Sequence, residues 1–246
     1  MHIRVIQDGP WDGPTNMARD EALLESVGAG ASPPTLRLYQ WDPPTISLGY
    51  FQKVADYEAL PPPAGELPVV RRQTGGGAIL HDRELTYSFT LPTGHPLLTP
   101  TPAHLYEITH DALIACLDQA GVEAHRGCET DDSTPTRGPF FCFARRHCLD
   151  VLTGPDKLAG SAQRITRNAV LQHGSIIFDR RYAQQPSAAI TRWLTVGVDD
   201  FIPQWIAALS ETTTLPFHPA PWTDAELQRA KELTAKYADD RWTRRR

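Results

Sequence analysis

Lysine is scarce in this sequence, and long apolar runs and an excess of basic charge are absent. Only four of the 246 residues are lysine, and no apolar stretch approaches the roughly 20 residues that a membrane-spanning helix needs. The net charge of −5 and the isoelectric point near 6.0 leave no positive field for nucleic acid. The amino terminus lacks the charged and then apolar pattern of a signal peptide. The composition therefore predicts a cytoplasmic protein whose partners are neither nucleic acid nor membrane.

Cysteine is also rare. Cys116, Cys128, Cys142 and Cys148 are too few and too irregularly spaced for a disulfide framework in a chain of this length. No C-x-x-C pair occurs, and no histidine spacing resembles a metal motif. We therefore expect reduced cysteines and no metal site.

The chain is long enough, with 41% apolar residues, for one large domain with a small appendage. Residues 1–185 alternate strand-like segments, rich in β-branched and aromatic residues, with two helical segments. Asn16 or Thr15 is expected to cap the first of these helices. This mixture predicts an α+β fold with mixed or antiparallel sheets and packed helices. Residues 186–246 contain two helical stretches, so we predict a short helical C-terminal extension packed on a catalytic domain of residues 1–185.

Candidate ligand-binding groups are concentrated in residues 69–91, where two strand-like runs flank Arg71, Arg72 and the run Gly75–Gly77. Glycines can press their backbone N–H groups against a ligand, and the guanidinium fork suits a carboxylate or a phosphate. A plain hairpin turn is the alternative for three glycines alone. The loop is neither a Walker loop nor a dinucleotide fingerprint, because both spacings are absent. An anionic or carbonyl-bearing ligand is therefore expected.

Lys157 heads the small-residue segment KLAGSAQ. Its compact ammonium could reach one oxygen of a carboxylate, of a phosphate, or of the oxyanion that forms when a carbonyl is attacked. The alternative is a solvated lysine in the turn after Gly154 and Pro155.

Cys142 lies between two phenylalanines and ahead of the basic segment Arg145–His147. Positive neighbours favour the thiolate, which is the form that attacks a thioester. The alternatives are a buried thiol between aromatic rings, and Cys148 as the reactive thiol. His81 and His173 are candidate proton carriers or pocket walls, although a lone histidine is more often structural.

The chain resembles the lipoate–protein ligase and octanoyltransferase family, whose catalytic domain is shared with biotin protein ligases, in five segments: NMARDEALL, PTLRLYQWDPPTISLGYFQ, RRQTGGGAILHD, DKLAGSAQR and LQHGS. The similarity runs from about Ile3 to Asp179 and implies that family's α+β catalytic fold. In the family the arginine pair and the GGG loop cover the acyl chain or acyl-adenylate, and the lysine matching Lys157 contacts the reactive carbonyl end. The product is an amide on a specific lysine of a lipoyl domain or of a glycine-cleavage H protein.

The resemblance implies substrate-binding positions in the arginine–glycine segment, in the small-residue segment and at two histidines. These positions are Arg71, Arg72, Thr74, Gly75, Gly76, Gly77, His81, Gly160, Ser161, Ala162, His173 and Gly174.

The family contains two kinds of reaction. Ligases make lipoyl-AMP from ATP with magnesium, whereas octanoyltransferases take a ready-made thioester from acyl carrier protein. One octanoyltransferase branch forms an acyl-enzyme on a cysteine in a CF dipeptide ahead of K-x-x-G-S-A-Q, and Cys142-Phe143 stands at that place. The segment Ala144–Cys148 departs from the Pro-Ser-aromatic continuation of that branch, and the GGG run is ligase-like.

The favoured hypothesis is an octanoyltransferase without a cofactor, in which Cys142 is the nucleophile and Lys157 stabilises the oxyanion. Acyl carrier protein would be the donor, and a lipoyl domain or H protein the acceptor. The first alternative is an ATP-dependent lipoate–protein ligase that uses magnesium, with Cys142 as pocket lining. The second is a non-catalytic lipoyl-domain binder or a ligase accessory subunit.

Overall fold

The computed structural model describes residues 1–127 and 138–246. Its strands are β1 (Ile3–Trp11), β2 (Thr35–Trp41), β3 (Thr45–Leu48), β4 (Val69–Arg71), β5 (Ile79–His81), β6 (Glu84–Pro92), β7 (His125–Arg126), β8 (Val151–Thr153), β9 (Asp156–Ile165), β10 (Ala169–Ile177) and β11 (Phe217–Pro219). Its helices are α1 (Gly13–Gly28), α2 (Val54–Glu58), α3 (His104–Gln119), α4 (Val198–Thr213), α5 (Asp224–Ala238) and α6 (Asp240–Thr243). Every helix in these two ranges is too short or too polar to cross a membrane.

A large mixed sheet forms the centre of the molecule. In the described part of the chain its strand order is β11-β1-β2-β6-β10-β9-β8-β7. Strands β11, β1 and β2 are parallel, and the pairs from β2 onward to β7 are antiparallel. A small sheet has the order β4-β3-β5 and carries both ends of the glycine loop. The predicted α+β class with mixed sheets is confirmed.

The two-residue period of the strands separates two buried layers. Leu36 and Leu38 of β2 face the cluster under α3 and α4. Tyr39 and Trp41 belong instead to the cluster formed with α1 and α5. Both faces of the sheet are therefore covered by helices, and the strand ends near the small sheet are left to form cavities.

The first helix begins earlier than the sequence pattern indicates. Its cap is Asp12, whose side chain accepts from the Thr15 backbone N–H at 2.9 Å, so the predicted caps at Thr15 or Asn16 are wrong. Asn16 is buried, and its amide donates to the carbonyls of Trp11 and Gln40 at 2.9 and 3.0 Å. The side chain expected to cap the helix thus joins it to β1 and β2.

The C-terminal segment is built into the sheet and is not purely helical. Strand β11 extends the large sheet beside β1, a strand that the helical prediction for residues 186–246 missed. Trp205 of α4 is fully buried, with its ring edge-on to Tyr87 at 5.1 Å between centroids. Arg4 and Glu226 form a buried ion pair at 2.5 Å between β1 and α5. A capping box of Thr223 and Glu226 begins α5.

Candidate active site

Cys142 begins a short 3₁₀ turn, Cys142–Ala144. Its backbone N–H donates to the Ala78 carbonyl at 2.7 Å, and the Ala78 N–H donates to the Phe140 carbonyl at 2.9 Å. A Cβ atom on Gly77 would lie 2.9 Å from the Cys142 nitrogen. The end of the glycine loop therefore packs directly on the Cys142 backbone, and only a residue without a side chain fits there.

Lys157 of β9 reaches the same point from the large sheet. Its Nζ lies 3.5 Å from Cys142 Sγ and 2.8 Å from Asp150 Oδ2. Lys157 is only 4% exposed. Burial by itself would lower the pKa of Lys157, but the Cys142 sulfur and the Asp150 carboxylate outweigh burial and hold that pKa above its ordinary value. An ammonium therefore points at the sulfur.

The ion pair of Lys157 and Asp150 occupies the space that a side chain at position 160 would fill. A Cβ atom on Gly160 would lie 2.4 Å from Lys157 Cε and 2.6 Å from its Nζ. The same atom would lie 3.0 Å from Asp150 Oδ1. The glycine of the KLAGSAQ segment thus lets the lysine fold back over its own strand.

A narrow cavity opens on one side of Cys142. Its free space is about 430 Å³, its mouth included. Its lining combines apolar side chains of α1, β2 and β5 with small residues of β9 and β10, and we call it the narrow cavity. The apolar part consists of Met17, Tyr39, Trp41 and Ile79, and the small part of Gly160, Ser161, Ala162 and Gly174. This shape and composition suit a slender apolar chain.

His81 forms a fixed wall of the narrow cavity. Its Nδ1 hydrogen-bonds to Glu84 Oε1 at 2.5 Å, and its Nε2 to Ser47 Oγ at 2.8 Å. Its ring stacks on Trp41 at 3.8 Å between centroids. Both ring nitrogens are engaged by buried partners, so His81 shapes the cavity.

His173 supports the start of the glycine loop. Its Nδ1 lies 3.3 Å from Asp20 Oδ2, and its Nε2 lies 2.6 Å from Thr74 Oγ1. Burial lowers the pKa of His173, although Asp20 opposes this shift. A neutral ring that donates to Asp20 and accepts from Thr74 satisfies both contacts.

Arg72 holds the glycine loop by its carbonyl oxygens. Its Nη2 donates to the carbonyls of Gly75 and Gly77, each at 2.7 Å, and its Nη1 to the Ser47 carbonyl at 2.9 Å. Burial lowers the pKa of Arg72 to about 10. Arg72 lines the narrow cavity, but its donors are largely occupied by protein oxygens.

Arg71 points away from both the loop and the cavities. Its Nη1 donates to the carbonyls of Gly49 and Gln52 at 2.9 and 2.7 Å, and its Nε donates to the Thr243 carbonyl at 2.9 Å. The Trp242 indole donates to the Arg71 carbonyl at 2.8 Å. Arg71 therefore joins β4 to the turn after β3 and to the C-terminal helix.

A wider cavity opens on the other side of Cys142. Its free space is about 1110 Å³, its mouth included. Its wall contains the glycine loop, the ion pair of Lys157 and Asp150, and side chains from α3, and we call it the wide cavity. Arg146 and His147 at its rim are exposed. Cys142 thus stands where the narrow cavity meets a wider one that carries charged groups in its wall.

His110 of α3 lies in the wall of the wide cavity. Its Nδ1 donates to the Leu149 carbonyl, and its Nε2 accepts from Ser161 Oγ at 2.7 Å. Ser161 also hydrogen-bonds to the Tyr87 hydroxyl at 2.6 Å. Burial lowers the pKa of His110 to about 4, so the ring is neutral at pH 7.

The structure brings most of the predicted site residues together and leaves two outside. The narrow and wide cavities that meet at Cys142 are lined by Arg72, Gly75, Gly76, Gly77, His81, Lys157, Gly160, Ser161, Ala162, His173 and Gly174. Arg71 and Thr74 line neither cavity, and Cys148 lies outside both. Cys128 falls outside the described residues.

Sequence reasoning missed Asp150 and His110. Asp150 is a charged residue between Leu149 and Val151 at the start of a buried strand, and that placement is a detectable sign of a buried partner. His110 gives no such sign, because its position on α3 is indistinguishable from that of an ordinary helical histidine. Across residues 1–127 and 138–246 no group of three or more histidine, cysteine or acidic side chains could hold a metal ion.

Comparison with known proteins identifies the family of this chain. Residues 12–209 match the family model described as the lipoyl protein ligase A/B catalytic domain, and the chain belongs to that family. The octanoyltransferase LipM of Moorella thermoacetica is 36% identical over 269 residues, covering 99% of this chain and 98% of that protein. The octanoyltransferase LipM of Kyrpidia tusciae is 32% identical over 272 residues, with the same coverage.

A solved lipoate-protein ligase A bound with ATP shares the fold. The two structures have a TM-score of 0.79 at 24% identity, and the match covers 99% of each chain. The family expected from the sequence is therefore confirmed, along with its catalytic fold.

Proposed function

We propose that this protein is an octanoyltransferase of protein lipoylation that works through an acyl-enzyme on Cys142. It moves an octanoyl group from an acyl carrier protein thioester to a specific lysine of a lipoyl domain or of a glycine-cleavage H protein, in the cytoplasm. One observation carries the proposal: Cys142 Sγ lies 3.5 Å from the buried Lys157 ammonium, where the two cavities meet. The full-length similarity to octanoyltransferases supports it.

In the first step the Cys142 thiolate attacks the carbonyl carbon of the donor thioester. The new C–S bond forms on Sγ, the donor C–S bond breaks, and the carrier thiolate leaves through the wide cavity. The Lys157 ammonium and the nearby loop N–H groups stabilise the oxyanion. The eight-carbon chain occupies the narrow cavity, whose lining is largely apolar.

In the second step the neutral amine of the acceptor lysine attacks the acyl-enzyme carbonyl. An amide C–N bond forms, the C–S bond to Cys142 breaks, and the proton lost by the amine passes to solvent. The thioester already stores the energy that the amide bond requires, so this route needs no ATP. The wide cavity gives a protein-borne lysine its access.

An ATP-dependent ligase is the alternative, because the fold is shared with a ligase whose structure contains ATP. In that reaction the glycine loop, Arg72 and Lys157 would hold lipoate against the α-phosphate of a magnesium-bound ATP, and Cys142 would only line the pocket. The two reactions differ in one measurable respect, because only the transferase places an acyl group on Cys142.

Intact-protein mass spectrometry after incubation with octanoyl–acyl carrier protein, without ATP, separates these reactions. We expect an octanoyl adduct on the wild type and none on Cys142→Ser. Free octanoate or lipoate with ATP and magnesium should leave an acceptor domain unmodified. ATP-dependent modification of the acceptor by both proteins, without an adduct on either, would identify a ligase. Tight acceptor binding without transfer from any donor would identify a non-catalytic binder.

A further inference from the structure

We propose that Asp150 is a positioning residue that keeps Lys157 an ammonium ion while Cys142 carries the acyl group. The inference rests on the proposed function, because it concerns the second half of the transfer reaction. Its physical basis is the geometry of the ion pair and the change in charge at the sulfur during the reaction.

The Asp150 carboxylate is fixed at the start of β8. Its Oδ2 accepts the Lys157 ammonium at 2.8 Å and the His147 backbone N–H, also at 2.8 Å. The Asp150 backbone N–H donates to the His147 carbonyl at 2.9 Å, and its carbonyl accepts from Gly127 at 3.0 Å. Only 5% of Asp150 is exposed, so the carboxylate is held largely away from solvent in the wall of the wide cavity.

Before acylation the Lys157 ammonium faces two groups that can carry negative charge. One is the Cys142 sulfur at 3.5 Å and the other is the Asp150 carboxylate. Both favour the charged form of the lysine against the cost of burial. Loss of either one still leaves the ammonium a partner.

Acylation removes one of these partners, because the sulfur of a thioester is neutral. Within the described residues, Asp150 is the one carboxylate in ion-pair contact with Lys157. From α3, the His110 ring is neutral at pH 7, and burial raises the pKa of the Tyr106 phenol, so neither supplies a negative charge. Arg72 is a cation. A buried lysine without a counter-ion gives up its proton readily. Asp150 is therefore what keeps Lys157 able to stabilise the oxyanion during attack by the acceptor amine.

This dependence predicts unequal effects on the two half-reactions. Asp150→Asn keeps the size of the side chain and an oxygen acceptor, and it removes the charge. Discharge of the acyl-enzyme onto an acceptor domain should slow by roughly 100-fold at pH 7.5, whereas its formation should slow by less than about tenfold. The octanoyl adduct should accumulate in the variant. The pH above which discharge fails should fall below that of the wild type.

The test measures both half-reactions by quenched-flow mass spectrometry from pH 6 to 10. Asp150→Glu restores the charge and should return the high-pH limb of discharge toward the wild-type position. Asp179→Asn, which removes an exposed carboxylate paired with Arg83, is the matched control and should leave both steps unchanged. Circular dichroism establishes that each variant is folded.

Equal slowing of both steps with an unshifted pH limb would show that Asp150 is only structural and would overturn the proposal. Unchanged discharge in Asp150→Asn would overturn it as well. If that variant does not fold, Asp150→Ser, which also removes the charge, decides: a high-pH limb of discharge below that of the wild type supports the proposal, and an unshifted limb contradicts it. A wild type that forms no adduct at all contradicts the proposed function instead, so the two failures are distinguishable.

Discussion

The two cavities that meet at Cys142 differ in the residues that form their walls. The narrow cavity is walled by Trp41, His81 and other side chains that are held by buried hydrogen bonds and ring stacking. The wide cavity is walled by the glycine loop, a buried ion pair and a charged rim. Under the proposed function this difference divides the roles: the narrow cavity would hold the acyl chain, and the charged groups of the wide cavity would act on the carbonyl beside the entrance for protein substrates.

Replacing the Lys157 ammonium should reduce acyl transfer more than the other substitutions described below. It removes a positive charge from the wide cavity and leaves the residues that line the narrow cavity unchanged. We expect Lys157→Gln to reduce acyl transfer by roughly 10²- to 10³-fold, which is typical of losing an oxyanion donor. Single-turnover formation of the acyl-enzyme measures this loss. Lys53→Gln, on an exposed lysine, is the control. Transfer within about threefold of the wild type in Lys157→Gln would contradict the role given to the ammonium.

A residue with a side chain at position 77 should displace Cys142, which lies where the two cavities meet. Gly77→Ala places a Cβ atom 2.9 Å from the Cys142 nitrogen, and we expect acyl-enzyme formation to slow by at least about tenfold. Gly9→Ala is the control, because Gly9 lines neither cavity and a Cβ atom there would meet only the Trp11 indole nitrogen, at 3.8 Å. Similar rates for the two variants would show that close packing at Gly77 does not position Cys142.

Enlarging the narrow cavity should change the preferred length of the acyl chain without removing a residue that takes part in acyl transfer. Met17→Ala removes a buried side chain from its wall, so we expect the preference between decanoyl and octanoyl donors to move toward the longer chain by a few-fold. Competition between the two acyl carriers measures the preference. Leu23→Ala truncates another buried side chain of α1 that does not line this cavity, and both variants should lose about 2–5 kcal/mol of unfolding free energy. The same shift in chain-length preference in both variants would contradict the proposal that the narrow cavity binds the acyl chain.

Acid should destabilise the wall of the wide cavity through His110. Its pKa is held near 4 in the folded protein and is about 6.5 in the unfolded chain, so the unfolded state binds more protons between these values. Stability is therefore lost as pH falls from about 6.5 to about 4, by up to about 3 kcal/mol from this group. Urea unfolding at pH 7.5 and pH 4.5 measures the loss. His110→Gln should lose less on acidification, and an identical loss would show that His110 is not responsible.

The sequence was sufficient to predict the α+β fold and most of the residues around Cys142. Family motifs mark the glycine loop and the KLAGSAQ segment, and these two segments meet at the cysteine. The pattern could not predict the role of Arg71, because a guanidinium that binds a ligand and one that binds backbone carbonyls look the same in sequence. Only the fold shows that Arg71 donates to Gln52 and Thr243.

Long-range contacts explain the remaining differences. The ion pair of Asp150 and Lys157 depends on how β8 pairs with β9, which no local pattern specifies. Strand β11 has three residues, too few for a detectable alternation, and its pairing with β1 is parallel and distant in sequence. The division at residue 185 remains a prediction, and the contacts of Trp205 with Tyr87 and of Thr243 with Arg71 cross it.

The most direct test of the central claim follows the acyl group through a single turnover. Octanoyl-enzyme is isolated from its donor and mixed with an acceptor lipoyl domain without ATP, and both masses are followed with time, with peptide mapping of the adduct. Transfer through Cys142 predicts a hydroxylamine-sensitive adduct on that residue that disappears at the rate at which the acceptor gains its octanoyl group. An adduct on Cys148, or an acceptor that gains its acyl group only when ATP is added, would contradict it.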